Sequence, residues 1–412
     1  MKHSALKGTL FALTAVSLLA ACGGSGDASG ITLTVWEDQS NIATLKARGD
    51  DFVAEYKRLY PGAPAVTINW VEQAEGSAME KLVTVASTGN GPDVLAVTHD
   101  TIITGATAGV IAPISYSDYV ANNMSEDAQL AVSVVSSTGN KSLYGYPITA
   151  ESQTIIYDSS KITATELASF EALKTSGKKL GITATNDGVG YYMSSLLTDA
   201  VLFGEDGTIS TSVNLHTTKA LNNIVSFYND YAANFIDVSP DNALASMASK
   251  DIVGFISSPY MYAQAVETIG SSIKTAVLPT LGGEALKPFS GYKAYCVNSY
   301  STHPSIAQDL AKFLVNADSQ WTRLDAKNYY PSLAEDEFTD DIKSTIKESV
   351  VDQTFGASLA LSRRMPSISL MANYWSPAQS TFTDFWTNNR GSMTTAIATK
   401  GLAAIEDKLA GK

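Results

Sequence analysis

The segment Gly91-Pro92-Asp93-Val94-Leu95-Ala96-Val97 decides the fold class, because a turn leads directly into an unbroken apolar run. Such a run is typical of a strand buried on both faces of a parallel sheet. Upstream, residues 31–36 and 66–70 alternate as strands, and residues 42–60 and 79–86 repeat apolar positions at helical spacing. The order strand, helix, strand, helix, strand predicts a parallel α/β architecture.

The same pattern continues along the chain. Strands are predicted at residues 154–157, 180–184, 252–256 and 276–278, and helical stretches separate them. The last third differs, because most of the chain from Ile306 onward is predicted to be helical. Apolar residues share one face at Ala307, Leu310, Ala311 and Leu314, and a closing helix runs through Ile397, Leu402, Ile405 and Leu409.

Composition and charge narrow the function classes. The chain has 412 residues, 45% hydrophobic and 17% charged, which is a globular composition with room for two domains. A net charge of -13 argues against nucleic acid or an anionic membrane surface as a partner. Beyond the first two dozen residues only His99, His216 and His303 remain, with no Cys/His cluster, so we predict no metal site and no cofactor.

The first two dozen residues have the pattern of a lipoprotein leader. Lys2 and Lys7 precede an apolar run that ends at Leu19-Ala20-Ala21-Cys22-Gly23. The run is shorter than the ~20 residues that cross a bilayer, but it suits a signal peptide over residues 1–21. Its end resembles a bacterial lipobox, so we expect lipid on Cys22, a Gly/Ser tether over residues 22–30 and an extracytoplasmic, membrane-anchored protein. A cleaved secretory leader with an incidental cysteine is the alternative. If Cys22 carries lipid, Cys296 has no partner for an intramolecular disulfide.

Acidic and aromatic residues follow several predicted strands, where ligands bind in open α/β sheets. Asp38 follows the first strand, Asp100 the third, and Tyr260 and Tyr262 follow residues 252–256. Glu151 lies in an uncharged, partly apolar stretch that offers no obvious ion-pair partner. Carboxylates accept pairs of hydroxyl hydrogen bonds and flat rings cover the apolar face of a pyranose, so the set favours a neutral sugar.

Each candidate also has a structural interpretation. Asp38 and Asp100 are each equally well explained as caps of the helices that follow their strands. Tyr260 and Tyr262 would be ordinary core aromatics, although a Ser-Ser-Pro loop is a poor place to bury two phenols. Trp375 precedes a predicted helix start at Ser376-Pro377 and would act as a hydrophobic staple, but its partner position holds the polar Ser380.

Taken in order, several segments resemble the ABC-transporter extracellular solute-binding proteins of family 1, of the maltose/maltodextrin type. The matching segments span nearly the whole mature chain and are residues 33–36, 88–94, 99–100, 144–148 with Glu151 and 156–157, 277–280, 287–292, 365–366 and 374–375. The resemblance implies a periplasmic-binding-protein-like (type II) fold, in which two α/β lobes close on a sugar. It implies an N-terminal lobe at 31–149 plus 295–325, a C-terminal lobe at 154–289 plus 332–412, and crossings near 149–153, 290–295 and 324–332.

The resemblance also implies ligand contacts. Positions matching family contacts are Asp38, Asp100, Glu151, Tyr260 and Trp375, and either Tyr191 or Tyr192 falls near a family aromatic. Departures are Val97 and Thr101, where the maltose binders commonly carry Trp and Arg, and Gln379, where they carry Arg. The candidate ligand-binding set is Asp38, Asp100, Glu151, Tyr191, Tyr192, Tyr260, Tyr262, Trp375 and Gln379.

The resulting prediction is a monomeric, lipid-anchored protein that captures maltose, maltodextrin or a similar oligosaccharide and delivers it to ABC permease subunits. It is not expected to be an enzyme, since the sequence has no Gly-x-Ser-x-Gly, His-Glu-x-x-His or Walker motif. Two alternatives remain at this point. Paired acids in a cleft also suit an extracellular glycoside hydrolase, and an adhesin-type lipoprotein would instead show a large exposed apolar patch.

Overall fold

The computed structural model describes residues 30–135, 140–186, 188–204, 207 and 211–411. The predicted leader and lipid-bearing Cys22 lie outside these residues, as does the predicted tether apart from Gly30.

Strands and helices alternate through the first half of the chain, and helices dominate the end. The strands are β1 Ile31–Glu37, β2 Val66–Glu72, β3 Val94–Thr98, β4 Ser133–Val135, β5 Lys141–Leu143, β6 Tyr146–Ser152, β7 Thr154–Asp158, β8 Leu180–Ile182, β9 Val201–Leu202, β10 Val213–Asn214, β11 Phe235–Asp237, β12 Gly254–Ser257, β13 Ile273–Ala276, β14 Phe289–Val297 and β15 Arg363–Arg364. The helices are α1 Gln39–Leu59, α2 Glu75–Val85, α3 Ile102–Thr107, α4 Ser117–Asn123, α5 Glu126–Ala131, α6 Phe170–Ser176, α7 Val189–Met193, α8 Thr218–Ser226, α9 Pro240–Ala248, α10 Tyr262–Ile269, α11 Pro304–Phe313, α12 Ala317–Lys327, α13 Asp340–Glu348, α14 Val350–Leu361, α15 Trp375–Asn388 and α16 Thr395–Leu409.

The first large sheet has the strand order β15-β14-β3-β1-β2, and β6 pairs with β14. β1 is parallel to both β2 and β3, which confirms the parallel arrangement predicted for the first three strands. β14 is antiparallel to β3 and to β6, so the sheet as a whole is mixed. The sequence pattern did not predict the antiparallel strand β14, because hydrophobic periodicity carries no information about strand direction.

The second large sheet has the order β11-β8-β12-β7-β13. β11 and β12 are parallel to β8, whereas β7 is antiparallel to β12 and β13. The strand predicted at residues 276–278 is wrong in position, because β13 ends at Ala276. Residues 273–275 alternate buried, exposed and buried, and Pro279 stands shortly after the strand, where it cannot donate to a sheet.

Each sheet packs on its own apolar residues. One cluster joins β1, β3 and β14 with α11, whose predicted stripe Ala307, Leu310, Ala311 and Leu314 is fully buried. Another cluster joins the second sheet with α15 and α16, and there Leu402, Ile405 and Leu409 are buried as predicted. Cys296 is a buried free thiol in a third, smaller cluster on the first sheet.

The chain passes between the two sheets along adjacent strands. β6 ends at Ser152 in the first sheet and β7 begins at Thr154 in the second, so one passage falls at Gln153. β14 starts at Phe289, which packs in the second sheet's cluster, and continues into the first sheet. Ser290 pairs with Ser152, so the two passages lie side by side. The lobe boundaries and the third crossing stay predictions.

None of the helices in the described part of the chain combines the length and apolar character that spanning a membrane requires.

Candidate functional site

Asp38 begins helix α1. Its carboxylate Oδ1 accepts hydrogen bonds from the Ser40 backbone N–H at 2.9 Å and from the Ser40 hydroxyl at 2.7 Å. The helix-capping interpretation of Asp38 is therefore confirmed. A cap of this kind leaves further acceptor positions on the carboxylate, and contact between Asp38 and a ligand stays a prediction.

Asp100 has a different environment, in a short 3₁₀ turn that follows β3. No side chain caps the helix that comes next, so the capping interpretation is wrong for Asp100. Its carboxylate forms no hydrogen bond or ion pair with any residue that the structure describes. The half-buried carboxylate is thus available to a ligand, and that role stays a prediction.

His99 holds the turn that carries Asp100 against the strand β14. Nδ1 accepts from the Tyr292 backbone N–H at 3.1 Å, so Nε2 carries the proton and donates to the Met365 carbonyl at 3.3 Å. Burial lowers the pKa of His99, which keeps the ring neutral. His99 is therefore a positioning residue for Asp100 that the sequence analysis did not single out.

Glu151 lies on β6 opposite Gly291 of β14. Burial raises the pKa of the Glu151 carboxyl, the positive charge of Lys293 opposes that rise, and the negative charge of Glu75 adds to it. The sequence predicted no ion-pair partner near Glu151, because Lys293 and Glu75 are far away along the chain. The structure brings all three together.

Two neighbouring tyrosines stand on the short helix α7. The rings of Tyr191 and Tyr192 are 5.4 Å apart in an edge-to-face arrangement, and Tyr192 is the more buried. Gln153, at the passage between the sheets, donates from Nε2 to the Tyr191 carbonyl at 2.7 Å. The Tyr191 hydroxyl lies 3.4 Å from Oγ of Ser258, after strand β12. Gln153 at the passage between the sheets and Ser258 after β12 thus hold Tyr191 in place.

Tyr260 and Tyr262 differ although they are two residues apart. Burial raises the pKa of Tyr260, and the charge of Glu151 raises it further, so Tyr260 lies in the electrostatic neighbourhood of that carboxylate. Tyr262 instead packs edge to face on Phe355 of α14, with ring centres 6.1 Å apart. A ligand contact for Tyr262 stays a prediction, while its observed contact is one of packing.

These groups form one set, which we call the interlobe cluster. Glu151 and Lys293 lie on strands of the first sheet, Tyr191 and Tyr192 lie on α7, and Tyr260 follows β12 of the second sheet. The full set, linked by electrostatic interactions, is Glu75, Glu151, Tyr191, Tyr192, Tyr260, Lys293 and Tyr329. The Lys293 ammonium lies 2.6 Å from Oε2 of Glu75 and 5.0 Å from the ring centre of Tyr329. No pattern in the sequence marked Glu75, Lys293 or Tyr329 as a candidate site residue.

Trp375 is the first residue of α15, one position earlier than the helix start predicted at Ser376-Pro377, and no side chain caps it. Its ring is half-buried and packs edge to face on Tyr374 with centres 5.2 Å apart. Gly190 lies beside it, since a β-carbon on that glycine would be 3.7 Å from Cε3 of Trp375. Trp375 therefore adjoins the backbone that carries Tyr191.

Gln379 lies one helical turn beyond Trp375. It lines a groove of about 530 Å³ with Thr185, which follows β8, and with the polar face of α15. Every residue that lines this groove has a polar side chain, and Asp384 is the one among them that ionises. Whether Gln379 contacts a ligand stays a prediction.

The donor types in this region suit hydroxyl groups better than metal ions. Within the described ranges, no group of three or more His, Cys, Asp or Glu side chains is arranged to hold a metal. The interlobe cluster offers carboxylate acceptors, an ammonium donor and phenol groups that both donate and accept. With the ring of Trp375 nearby, this combination matches the alternating polar edge and apolar face of a sugar.

Comparison with known proteins agrees with this description. Residues 51–347 match the family of bacterial extracellular solute-binding proteins. A galactooligosaccharide-binding protein of Bacillus subtilis is 29% identical over 394 residues, which cover 89% of each chain. A maltooligosaccharide ABC transporter solute-binding lipoprotein of Streptococcus pneumoniae serotype 4 is 24% identical over 96% of this chain and 95% of that protein.

Solved structures show the same fold. A maltodextrin-binding protein of L. casei, solved without ligand, superposes with a TM-score of 0.76 at 21% identity over 92% of this chain and 99% of that chain. A maltose-binding periplasmic protein of Listeria monocytogenes in complex with maltose superposes with a TM-score of 0.73 at 22% identity, over 92% and 98% of the two chains. These likenesses confirm the predicted two-lobed, type II architecture.

Proposed function

The chain belongs to the bacterial extracellular solute-binding protein family, and on that premise we propose that it captures a neutral oligosaccharide and delivers it to an ABC importer. Two relatives support this choice of solute by what their names say they bind, galactooligosaccharide in one and maltooligosaccharide in the other. The proposal covers binding and transfer and includes no chemical step.

One observation carries the proposal. The Glu151 carboxylate lies close enough to Tyr191 and Tyr260 to raise the pKa of both phenols. Glu151 is on a strand of the first sheet, whereas Tyr191 packs on the second sheet's cluster and Tyr260 follows strand β12 of that sheet. A ligand seated there would contact both halves of the molecule. Carboxylate and aromatic side chains are together the groups that a sugar requires.

The mechanism follows from that placement. A sugar held by groups of both lobes gains its full set of contacts only when the lobes are closed, so binding shifts the equilibrium towards closure by the difference in affinity between the two states. An affinity on the order of micromolar, about -8 kcal/mol, would permit both capture and later release to a permease.

Isothermal titration tests the proposal and identifies the sugar. The protein beginning at Gly30 would be titrated with maltose, maltotriose, sucrose, trehalose, lactose, raffinose and β-1,4-linked galactobiose and galactotriose. Saturable heat with one class is the expected result. The absence of heat across the whole panel contradicts the proposal, and release of monosaccharides on prolonged incubation would favour the hydrolase alternative instead.

Glu151 makes the affinity depend on pH. Because its pKa is raised, the carboxylate takes up a proton at a higher pH than an ordinary glutamate, and it then loses acceptor positions for sugar hydroxyls. We expect affinity to fall on acidification, beginning above the ordinary glutamate value of 4.5, by on the order of tenfold.

The variant Glu151→Gln separates this effect from general acid sensitivity. It should bind more weakly at neutral pH and show a flatter pH profile, measured by titration calorimetry between neutral pH and pH 4.5. A variant that keeps the wild-type profile would exclude Glu151 as the titrating acceptor.

The lipid anchor is part of the proposal and can be tested apart from binding. Replacing Cys22 with alanine removes the thiol that would carry the lipid, so the protein should move from the membrane fraction to the soluble extracytoplasmic fraction while its sugar affinity stays unchanged. Cell fractionation followed by immunoblotting measures this. A Cys22→Ala protein that remains attached to the membrane would point to a different anchor.

A further inference from the structure

Strands β6 and β14 place the side chains of Glu151 and Lys293 on the same face of the first sheet. Glu151 pairs with Gly291, and Thr149 pairs with Lys293, so Glu151 and Lys293 are diagonal neighbours within reach of one another's side chains. The residues between them, Ala150 and Tyr292, point to the opposite face, where they belong to the first sheet's apolar cluster. Glu151, Gly291 and Lys293 therefore share the face that is turned away from that cluster.

The pairing of β14 with β6 is irregular directly after Lys293. The register between β14 and β6 shifts between Lys293 and Ala294, and such bulges redirect side chains in a sheet. The Lys293 ammonium pairs with Glu75 at the start of α2, and the two side chains are only 15% and 9% exposed. An ion pair buried to this degree is weak evidence for a stabilising role, because desolvation offsets most of the attraction.

Two acidic side chains lie near the single ammonium of Lys293. Burial alone would lower the pKa of Lys293, but the carboxylates of Glu75 and Glu151 reverse this effect and raise it, so the ammonium stays charged. Tyr329 covers the ammonium with its ring. Two carboxylates against one ammonium leave this region with a net negative charge whenever both acids are ionised.

Gly291 lies next to these groups and has room for a β-carbon. A β-carbon at this position would meet only Glu151, at 3.7 Å from Cγ and 3.8 Å from Oε1, which is ordinary van der Waals distance. The glycine is buried all the same. A glycine inside a strand is typical of a position where a ligand or another backbone approaches closely.

We propose that Gly291, Lys293 and Glu75 form, together with Glu151, a subsite for one neutral sugar unit. This inference rests on the proposed function and deepens it by naming the residues that would hold one sugar unit. The ring would lie over Gly291, with the ammonium donating to one hydroxyl group and the carboxylates accepting from its neighbours. A uronic acid unit is excluded because its carboxylate would meet a region that is already negative.

Variants at Lys293, Glu75 and Gly291 test the subsite, using whichever neutral oligosaccharide of the titration panel the wild-type protein binds. The double variant Glu75→Gln, Lys293→Met removes one buried charge of each sign, so it should lower the melting temperature less than Lys293→Met alone, which leaves two carboxylates without their cation. Its affinity should fall on the order of tenfold to a hundredfold, because hydrogen bonds to charged groups are lost. A pair with a purely structural role would leave the affinity unchanged.

The variant Gly291→Ala serves as a second test if the double variant does not fold. Its β-carbon fits without a clash in the free protein but enters the space assigned to the sugar, so affinity should fall several-fold at an unchanged melting temperature. Gly62→Ala is the matched control, since a β-carbon there meets nothing within 4 Å and the position is exposed. A uronic-acid-ended analogue of the same oligosaccharide should show no measurable binding.

The outcomes separate the two proposals. A wild-type protein that binds no neutral sugar overturns the proposed function. The subsite is overturned if Gly291→Ala and the folded double variant both keep the wild-type affinity. It is also overturned if the wild-type protein binds the uronic-acid-ended analogue as tightly as the neutral sugar. In either case the proposed function still stands.

Discussion

Replacing Arg323 with alanine is expected to lower the free energy of unfolding by about 3–5 kcal/mol. Arg323 Nη2 lies 3.3 Å from Oε2 of Glu37 and 2.6 Å from the Tyr295 hydroxyl, and Nη1 donates to the Leu314 carbonyl. The Arg323 and Glu37 side chains are 2% and 0% exposed. The substitution would leave the Glu37 carboxylate buried without its cation, and that is the costly way to break a buried ion pair.

Equilibrium unfolding in urea measures the loss. Arg58→Ala is the matched control, because Arg58 also pairs with a glutamate, Glu55, but both side chains are largely exposed at 67% and 41%. The control should change the free energy of unfolding far less than Arg323→Ala does, because solvent screens an exposed ion pair. A loss in Arg323→Ala no larger than that of the control contradicts the assignment.

The pH dependence distinguishes lost charge from lost packing. Burial raises the pKa of Glu37 and Arg323 opposes this rise, so the pKa in the variant should be higher still. When the pKa of a carboxyl is higher in the folded than in the unfolded protein, the free energy of unfolding falls as the pH rises from the unfolded-state pKa to the folded-state pKa. The deficit of Arg323→Ala should therefore be larger at neutral pH than at the ordinary glutamate value of 4.5. A deficit that does not vary with pH would show that lost packing is the cause.

Glu37 also shows where sequence reasoning stopped. Two acids, Glu37 and Asp38, stand at the end of the first strand, and the structure confirms only the alternative interpretation of Asp38 as the cap of α1. The sequence pattern could not show that Glu37 is enclosed, because its partner Arg323 is 286 residues away along the chain. Periodicity identifies strands and their buried faces, but it does not reveal which distant elements pack against them.

The interlobe cluster was predictable only in part for the same reason. Glu151 stood out because it is a charged residue in an apolar stretch, and resemblance to a known family pointed to Tyr191, Tyr192 and Tyr260. Lys293 gave no such signal, because it lies inside a strand and not at its end. Its position beside Glu151 depends on the register of β14 against β6, which only the structure reveals.

Replacing Trp375 with alanine is expected to weaken sugar binding by about 2 kcal/mol or more, roughly thirtyfold in affinity. The ring is half-buried with one edge set against Tyr374 and with Gly190 close by, so its orientation is fixed before a ligand arrives. A ring that is held in place stacks on a sugar at little cost in side-chain entropy, and truncation removes both the apolar contact and that preorganisation.

Binding and folding must be measured separately, because Trp375 also packs against the second sheet's cluster. Trp321→Ala is the matched control, since Trp321 is likewise a partly buried tryptophan but packs on the first sheet's cluster from α12. Both variants should lose stability in thermal melts, whereas only Trp375→Ala should lose affinity in titrations carried out below both melting transitions. Equal affinity losses in the two variants would show that destabilisation is the cause.

The variant Trp375→Phe decides whether the ring acts by stacking. Phenylalanine keeps a flat apolar face at the start of α15 but covers less area, so its affinity should fall between those of the wild type and Trp375→Ala. Stacking alone does not involve the indole N–H. If Trp375→Phe binds the sugar as weakly as Trp375→Ala does, the indole N–H is the group that contributes to affinity. Wild-type affinity in Trp375→Ala would remove the residue from the site and leave sugar recognition to the interlobe cluster alone.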